Sequence, residues 1–244
     1  RIIDYKKLNN AIPRQTNITK SPFLCASDCP PGKKKSILDA KDGYHSVVLE
    51  KGESRAVTEF LCEFGRYRCI GSGQGLICSG DAYTHRFDNI TSKFQNVTRC
   101  VDDSLLWEDD IKTSFDLVCR YLTTCSRGGI NFNRQKFKFA EDIVEYVGFT
   151  LTSDAIKVSA SMTESIRNFP APKNITQARA CFGLIEQVSW AFSKCEDMKH
   201  FRHLLSPKTL FVWTEDLQKE FLLAKENIVR KIEKGVKMYK LIGL

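Results

Sequence analysis

Two adjacent aspartates between two apolar runs constrain the fold of this chain more than any other feature of its sequence. Asp102 and Asp103 follow the run 97–101 and precede the run 104–107. This arrangement predicts a tight β-hairpin that carries both carboxylates at its turn. Adjacent acids with no basic residue between them repel each other, and a divalent cation such as Mg²⁺, which prefers carboxylate oxygens, would remove that repulsion. A plain Asp-Asp surface turn is the alternative.

A further aspartate lies at the end of a second predicted strand. Residues 35–40 form a short strand that ends near Asp39, and Gly43 then turns the chain. A side-chain period of two puts Ile37 and Asp39 on one face of this strand and Leu38 on the other. The strand therefore carries a carboxylate at its end, for which a simple strand-end cap is the alternative role.

These stretches resemble the sequence blocks of reverse transcriptases. Leu38-Asp39 followed by Gly43-Tyr44 resembles the first catalytic block, and Val101-Asp102-Asp103 resembles the block Tyr-x-Asp-Asp. Further likenesses occur in the expected order at 4–9, 64–68, 73–76 and 146–149. The likeness is to the Pol polyprotein of gypsy-like LTR retrotransposons and their retroviral relatives, and it covers essentially the whole chain.

The resemblance implies an α+β fold: a right-hand polymerase palm with an antiparallel sheet backed by helices, partial fingers and a helical thumb. Residues 1–155 would form the partial fingers and palm, 156–210 the helical thumb, and 211–244 a connection leading toward an absent ribonuclease H domain. The chain begins inside a strand predicted within residues 1–9. We therefore expect a piece of a longer polyprotein, with the basic fingers residues that hold the triphosphate lying upstream.

The resemblance also implies a reaction, which is RNA-directed DNA polymerisation by two-metal nucleotidyl transfer onto a primer 3′ hydroxyl. Asp39, Asp102 and Asp103 would be the catalytic and metal-binding residues for two Mg²⁺ ions, with Mn²⁺ as a substitute. Paired metal ions suit this reaction because charge develops on both the attacking and the leaving oxygen. Lys136 would be a catalytic residue that protonates the pyrophosphate leaving group, with a surface lysine as the alternative.

Binding roles for five further residues follow from the same resemblance. Ala40, Tyr44 and Gln74 would bind the incoming deoxyribonucleoside triphosphate. The ring of Tyr44 would be the steric gate against a ribose 2′ hydroxyl, with ordinary packing as the alternative. Val147 and Gly148 would form the primer grip, where the backbone holds the 3′ end.

The chain departs from the family pattern at two places. Cys100 stands where the Tyr-x-Asp-Asp block has its tyrosine, and the stretch around Gln74 departs from the Pro-Phe-Gly-Leu form. A second hypothesis is therefore a degenerate, non-catalytic palm–thumb module that binds nucleic acid without polymerising.

Net charge and composition limit the kinds of partner and the cellular location that can be expected. The net charge of +8 suits a polyanion, here an RNA or DNA template with its primer strand. No run approaches the roughly 18 apolar residues of a membrane span, so no membrane partner is expected. The rest of Pol, with protease, ribonuclease H and integrase, is expected in the parent protein. An intracellular site, in a cytoplasmic virus-like particle or the nucleus, fits the lack of a signal peptide better than secretion.

Apolar periodicity predicts the remaining elements. Strands are expected at 130–139 and 143–152. A helix capped by Asp109 or Asp110 is expected to end at Gly128. Two further helices are expected with Thr163 and Thr176 as their N-terminal caps. A last helix is expected from Glu215 to about Lys234. Core thiols are expected at Cys62, Cys69, Cys78, Cys100, Cys119 and Cys181. A zinc site at Cys195, His200 and His203 is not expected.

Overall fold

The computed structural model describes residues 3–13, 19–189, 201, 204–206 and 211–237. The chain divides into two compact units. The first comprises Arg1–Ser21 and Lys33–Glu141, and the second comprises Pro22–Gly32 and Asp142–Leu244. Each unit contains helices and antiparallel sheet, which confirms the expected α+β class.

Eight helices and eleven strands are formed by the described residues. The helices are α1 (Lys6–Ala11), α2 (Pro22–Ser27), α3 (Glu53–Ala56), α4 (Ser79–Thr91), α5 (Ile111–Arg127), α6 (Ala160–Arg167), α7 (Ile175–Glu186) and α8 (Glu215–Lys234). The strands are β1 (Lys34–Lys41), β2 (Phe60–Cys62), β3 (Gly65–Tyr67), β4 (Val97–Cys100), β5 (Asp103–Glu108), β6 (Asn131–Phe132), β7 (Lys138–Glu141), β8 (Val144–Tyr146), β9 (Phe149–Leu151), β10 (Ala155–Val158) and β11 (Val236–Lys237).

The first unit is built on an antiparallel sheet in which β1 is the central strand. The strand order is β4-β5-β1-β6, and β7 also pairs with β1. Leu38 of β1 and Leu106 of β5 pack with Tyr83 and Phe87 of α4 and with Tyr121 of α5. Full burial of one such side chain contributes about 1.5–3 kcal/mol. The two helices therefore cover the Leu38 face of the sheet, as the alternation of β1 predicted.

Helix α5 begins and ends where the sequence predicted. The side chain of Asp110 accepts a hydrogen bond from the backbone N–H of Thr113 at 2.9 Å, and Gly128 is the C-cap residue. An aspartate at this position pairs one of the N–H groups that a helix start leaves without an intrahelical partner. This confirms Asp110, rather than Asp109, as the cap.

The second unit combines a small sheet with three helices. Its strand order is β11-β10-β9-β8, all antiparallel. Helices α6, α7 and α8 share one core, which includes Ile166, Cys181, Ile185, Phe221 and Ile228. The bounds of α8 confirm the helix predicted from Glu215 to about Lys234.

The expected strand within residues 1–9 is wrong, because residues 6–11 form α1 instead. Asp4 accepts a hydrogen bond from the N–H of Lys6 at 2.9 Å, and the N–H of Asn9 bonds to the carbonyl of Tyr5 at 2.7 Å. These local bonds satisfy the backbone in a helical turn, so an edge strand has no advantage. The following connection also contains a helix that the sequence did not predict, α2.

Two predicted helix caps are also wrong. The cap of α6 is Ser159, whose Oγ accepts from the N–H of Met162 at 3.3 Å, while Thr163 lies inside the helix. The cap of α7 is Asn174, which accepts from the N–H of Gln177 at 2.9 Å, rather than Thr176. In both cases an earlier polar side chain reaches the free N–H groups first.

The two long strands predicted after α5 are each interrupted. The side chain of Asn133 accepts from the N–H of Gln135 at 3.0 Å and starts a single 3₁₀ turn, Arg134–Lys136, between β6 and β7. Val147 and Gly148 form the turn between β8 and β9. Each predicted strand is therefore two short ones.

All nine cysteines in the described residues are free thiols. Of the predicted core thiols, Cys181 is buried, whereas Cys62, Cys69, Cys78 and Cys100 are only half-buried. Cys119 is exposed, because it lies on the outer side of α5. Cys195, His200 and His203 lie outside the described residues. In the part of the chain that the structure describes, no helix has the length and apolar character needed to cross a membrane.

Candidate active site

The pairing of β1 with β5 brings two aspartates opposite each other. Their antiparallel register runs from Lys34 opposite Glu108 to Asp39 opposite Asp103. Directly opposed residues of an antiparallel pair project from the same face of the sheet. Asp39 and Asp103 therefore share one face at the end of the strands, opposite to the face that Leu38 presents to α4 and α5.

Asp102 lies in the two-residue turn that joins β4 to β5. Cys100 pairs with Asp103, so only Val101 and Asp102 form the turn. The N–H of Ala40 donates to the carbonyl of Asp102 at 2.9 Å and joins the turn to the end of β1. Hairpin formation, which the sequence predicted, thus places three carboxylate residues at one end of the sheet.

The backbone of this turn is strained. Val101 has φ of +53°, a region that β-branched residues rarely adopt. Such a conformation costs about 1–3 kcal/mol and persists only where the surrounding structure imposes it. The strain is local to the residue that precedes Asp102.

Burial and mutual repulsion act on the acids of this site. Burial, followed by a smaller effect of Asp39, raises the pKa of Asp103. Burial also raises the pKa of Asp102, with Asp39 adding to the shift and the Tyr83 hydroxyl opposing it. Two carboxyl groups with a raised pKa beside a third acid form a site at which positive charge is favourable.

Two buried polar atoms at this site lack a regular hydrogen bond. Among the described residues, neither Oδ1 of Asp102 nor the hydroxyl of Tyr83 has a partner of normal geometry. The hydroxyl is nevertheless close enough to favour the charged form of Asp102, while burial and the charge of Asp102 raise the pKa of Tyr83. A buried carboxylate oxygen without a donor is costly, and a bound cation would satisfy it.

Lys136 supplies positive charge at the site. Its Nζ lies 2.8 Å from Oδ2 of Asp39, although 62% of the lysine side chain is exposed. The 3₁₀ turn that carries Lys136 is held beside β1, because the N–H of Asn133 donates to the carbonyl of Asp39 at 2.8 Å. The hydrogen bond with Asp39 and its charge raise the pKa of Lys136, so the lysine is protonated.

The three acids could supply carboxylate oxygens to hard divalent cations. In this arrangement, however, no group of three or more His, Cys, Asp or Glu side chains among the described residues is gathered closely enough to be a metal site. Asp39 is engaged by Lys136. The donor chemistry and the unpaired Oδ1 of Asp102 fit a metal, but the described acids are not gathered around one position.

The residues predicted to bind a nucleotide lie in different settings. Ala40 is buried in β1 next to Asp39. Tyr44 is half-buried, and its ring meets that of Tyr83 edge to face, with centroids 5.8 Å apart. Gln74 is exposed in a turn with Gly75, whose φ is +90°. The structure thus links Tyr44 to the acids through Tyr83.

Val147 and Gly148, predicted as the primer grip, belong to the second unit. They form a two-residue turn between β8 and β9, with φ of +43° and +89°. Positive φ at both central residues is typical of the tight turns that suit the twist of a hairpin. The turn presents its backbone at the end of that hairpin.

Two residues of the site were missed by sequence reasoning. Arg99 of β4 and Tyr83 of α4 both approach the turn that carries Asp102. A signal for Arg99 was present, because strand alternation puts this arginine on the helix-facing side of the sheet with Val97. Arg99 binds acceptors on α4, and Tyr83 approaches Asp102 from the same helix. No local pattern reveals these long-range contacts.

Comparison with known proteins supports the resemblance that the motifs carry. No family model matches the chain. The chain is 27% identical over 192 residues to the retrovirus-related Pol polyprotein from transposon gypsy of Drosophila melanogaster, which covers 75% of this chain and 18% of that protein. It is 23% identical over 184 residues to the Pro-Pol polyprotein of simian foamy virus type 1, with 75% and 16% covered. The chain thus spans less than a fifth of these relatives.

Solved structures show the same fold. The foamy viral protease-reverse transcriptase in complex with an RNA/DNA hybrid superposes with a TM-score of 0.82 at 18% identity, over 96% of this chain and 32% of that chain. A form of that protein in complex with double-stranded DNA gives a TM-score of 0.85 at 17% identity, over 96% and 41%. The chain has the fold of a reverse transcriptase.

The relatives found by sequence indicate which kind of reverse transcriptase region the chain resembles. The chain is similar to Pol polyproteins of gypsy-like retrotransposons, including transposon 412 of Drosophila melanogaster at 22% identity over 240 residues, or 93% of this chain and 19% of that protein. The predicted resemblance to the reverse transcriptase region of a gypsy-like Pol polyprotein is therefore confirmed.

Proposed function

We propose that this chain carries the nucleotidyl-transfer centre of an RNA-directed DNA polymerase, and that Asp39, Asp102 and Asp103 are its catalytic acids. The observation that carries the proposal is the register of β1 with β5. It puts Asp39 opposite Asp103, while the adjoining turn supplies Asp102. These are the carboxylates that two-metal phosphoryl chemistry needs, on three neighbouring backbone segments.

Asp39 and Asp102 would hold two Mg²⁺ ions, or Mn²⁺ in their place, and Asp103 would complete the site. Bound metal would lower the barrier by neutralising charge on the attacking and leaving oxygens. The unpaired Oδ1 of Asp102 and the raised pKa of Asp103 support the assignment, because each favours a cation. Asp39 would release Lys136 when a metal binds.

Lys136 would then deliver a proton to the pyrophosphate leaving group. Its ammonium lies within the acid cluster and is exposed, so it is free to swing from Asp39 toward a bound triphosphate. A positioned general acid of this kind contributes about 10²–10⁴-fold in rate. Ala40, Tyr44 and Gln74 would bind the deoxyribonucleoside triphosphate, with the Tyr44 ring, backed by Tyr83, excluding a 2′ hydroxyl.

The primer and template would be held mainly through phosphates. The net charge of +8 supports this role, and the backbone at Val147–Gly148 would grip the primer end. The assignment of 1–155 to partial fingers and palm, of 156–210 to thumb and of 211–244 to a connection is part of the same proposal. The foamy viral relative in complex with an RNA/DNA hybrid supports a template and primer as ligand.

Three observations favour a second candidate, a degenerate module that only binds nucleic acid. The acids are not gathered into a metal site among the described residues, and Lys136 already neutralises Asp39. Cys100 also replaces the tyrosine of the Tyr-x-Asp-Asp block. On this reading the duplex binds but no primer grows.

Primer extension tests the two candidates. The chain is measured with Mg²⁺, alone and joined to whatever its parent reading frame encodes upstream, and each protein is compared with its Asp102→Asn variant. Extension that Asp102→Asn abolishes supports the polymerase. Duplex binding without extension in every version supports the module and contradicts the polymerase.

A further inference from the structure

Arg99 connects the turn that carries Asp102 to helix α4. Its guanidinium donates to the carbonyl of Val101, to the carbonyl of Thr84 at 3.1 Å and to the carboxylate of Asp88. It also lies over the ring of Phe87, with Cζ 4.3 Å from the centroid. Only 6% of its side chain is exposed. A planar guanidinium serves several acceptors at fixed angles, which the single ammonium of a lysine cannot do.

The two carbonyls that flank Asp102 are both fixed. Arg99 holds the carbonyl of Val101, which belongs to the peptide on the N-terminal side of Asp102. The N–H of Ala40 holds the carbonyl of Asp102 itself at 2.9 Å. Once both flanking peptide planes are set, the direction of the Cα–Cβ bond of Asp102 is set as well.

The strained valine needs such support. Val101 is held at φ +53°, and a strained residue relaxes unless its neighbours prevent it. Arg99 is the side chain that binds its carbonyl, and it is anchored in turn by Asp88 and Thr84 of α4. The same helix carries Tyr83, which contacts the ring of Tyr44. Helix α4 thus supports both the Asp102 turn and the predicted nucleotide gate.

We propose that Arg99 is a positioning residue, which holds the peptide between Val101 and Asp102 and so sets the direction of the Asp102 carboxylate relative to Asp39, where a metal would bind. The effect of Arg99 on metal binding rests on the proposed function, whereas its effect on the conformation of the turn does not. An arginine that merely joined the sheet to α4 would affect stability and leave the turn unchanged.

Arg86 provides a matched control. It also bridges elements of the first unit, because it donates to the carbonyl of Ser46 and, at 2.6 Å, to the carbonyl of Gly128. It does not contact the hairpin turn in any bond that the structure describes for it. Arg99→Lys and Arg86→Lys each keep a positive charge and lose a fork of donors, so they should lower the thermal midpoint by similar amounts.

The decisive measurement is amide hydrogen exchange in the metal-free chain. In Arg99→Lys, the N–H of Ala40 should exchange about tenfold faster than in the wild type, because its acceptor on Asp102 moves. The N–H of Asn133, which donates to Asp39 at the same end of β1, should keep its rate. Arg86→Lys should change neither the exchange rate of the Ala40 N–H nor that of the Asn133 N–H. If Ala40 keeps its protection in Arg99→Lys, or loses it equally in Arg86→Lys, the proposal is overturned.

Manganese binding separates this proposal from the proposed function. Free Mn²⁺ is counted by its electron paramagnetic resonance signal, with Asp102→Asn as the reference for the site. Arg99→Lys should weaken Asp102-dependent binding by about tenfold, as loss of a group that orients a metal ligand does, while Arg86→Lys should not. If Arg99→Lys binds Mn²⁺ as tightly as the wild type, the positioning role of Arg99 is contradicted, while the proposed function is not. A wild type that binds no more Mn²⁺ than Asp102→Asn contradicts the proposed function, and the exchange of Ala40 still decides the role of Arg99.

Discussion

The dipeptide Asp-Asp occurs twice in the first unit, at 102–103 and at 109–110, and the two pairs behave in opposite ways. Burial raises the pKa of both Asp102 and Asp103. The backbone N–H of Thr113 lowers the pKa of Asp110 instead. Asp109 forms an exposed ion pair with Lys33, at 2.7 Å. The same Asp-Asp dipeptide therefore forms part of a cluster that favours a cation at 102–103, and it forms the start of a helix at 109–110.

The difference lies in the donors that the surrounding backbone supplies. A helix start offers free N–H groups, so the carboxylate of Asp110 is satisfied without any ligand. The hairpin turn puts Asp102 and Asp103 next to a third acid, Asp39, which is paired with the exposed side chain of Lys136. Two acids with a raised pKa, one of which has a buried oxygen without a hydrogen bond, mark a functional site more specifically than the presence of acids does.

The largest effect is expected from Asp102→Asn. Loss of a residue that orients a metal ligand lowers activity by up to ~10²-fold. Asp102→Asn removes a proposed ligand itself, so its primer extension should fall by more than this. Its fold should be retained, since an amide replaces a carboxylate whose charge is unfavourable in this position. Extension assays on both proteins check this, and Asp110→Asn is the matched control, with wild-type extension per folded molecule.

Lys136→Met should have opposite effects on metal binding and on rate. Asp39 loses its competing ammonium, so Mg²⁺ should bind severalfold more tightly. The rate at saturating Mg²⁺ should fall by about 10²-fold, since a general acid is lost. Lys136→Arg keeps the competing charge but releases a proton poorly, and should lower the rate without tightening Mg²⁺. Equal Mg²⁺ titrations for Lys136→Met and the wild type would show that Lys136 does not compete.

Asp110→Ala should lower the thermal unfolding midpoint by a few degrees, because α5 loses its cap. Asp110→Asn should lose much less, because asparagine offers a similar acceptor to the N–H of Thr113. Differential scanning calorimetry of the three proteins measures both shifts. If the alanine and asparagine variants melt together, the hydrogen bond to Thr113 does not set the start of α5.

The contribution of Asp110 should depend on pH in a defined direction. Its pKa is lowered in the folded chain, so its stabilising effect is present above the unfolded pKa and disappears as pH falls through the folded pKa. The stability difference between the wild type and Asp110→Asn should therefore shrink on acidification. Denaturant titrations from neutral to strongly acidic pH give the curve, and a difference that grows toward low pH would reverse the assignment.

Asp109→Asn should have the smallest effect of the series. The aspartate of the pair with Lys33 is 77% exposed, and exposed ion pairs are worth less than about 1 kcal/mol. A denaturant titration should place the variant within about 0.5 kcal/mol of the wild type. A larger loss would mean that Lys33 holds β1 through this contact.

Local pattern was enough to predict the positions of the acids. The period of two around Asp102 and Asp103 indicated a hairpin, and the 3.6-residue period after Asp110 indicated a helix cap, and both features are present. The position of Asp39 near the C-terminal end of β1 was also predicted from the local pattern, although the strand runs on to Lys41. These features depend on neighbours in sequence, which is why one chain without relatives sufficed.

Long-range partners could not be predicted in this way. Arg99 meets acceptors that lie 11 and 15 residues away on α4, and Tyr83 approaches Asp102 from the same helix. The caps at Ser159 and Asn174 were missed because more than one polar residue could reach each helix start. The α1 helix was missed because its bonds to Tyr5 and Asp4 compete with a strand by only small local preferences.

A crystal structure of the chain with Mn²⁺ tests the central claim most directly. Anomalous scattering locates manganese independently of the model of the protein. The account predicts a peak between the carboxylates of Asp39, Asp102 and Asp103, with Lys136 turned away from Asp39, and no peak at Asp109–Asp110. Manganese at Asp109–Asp110, or none at the hairpin at a concentration that supports primer extension, would contradict it.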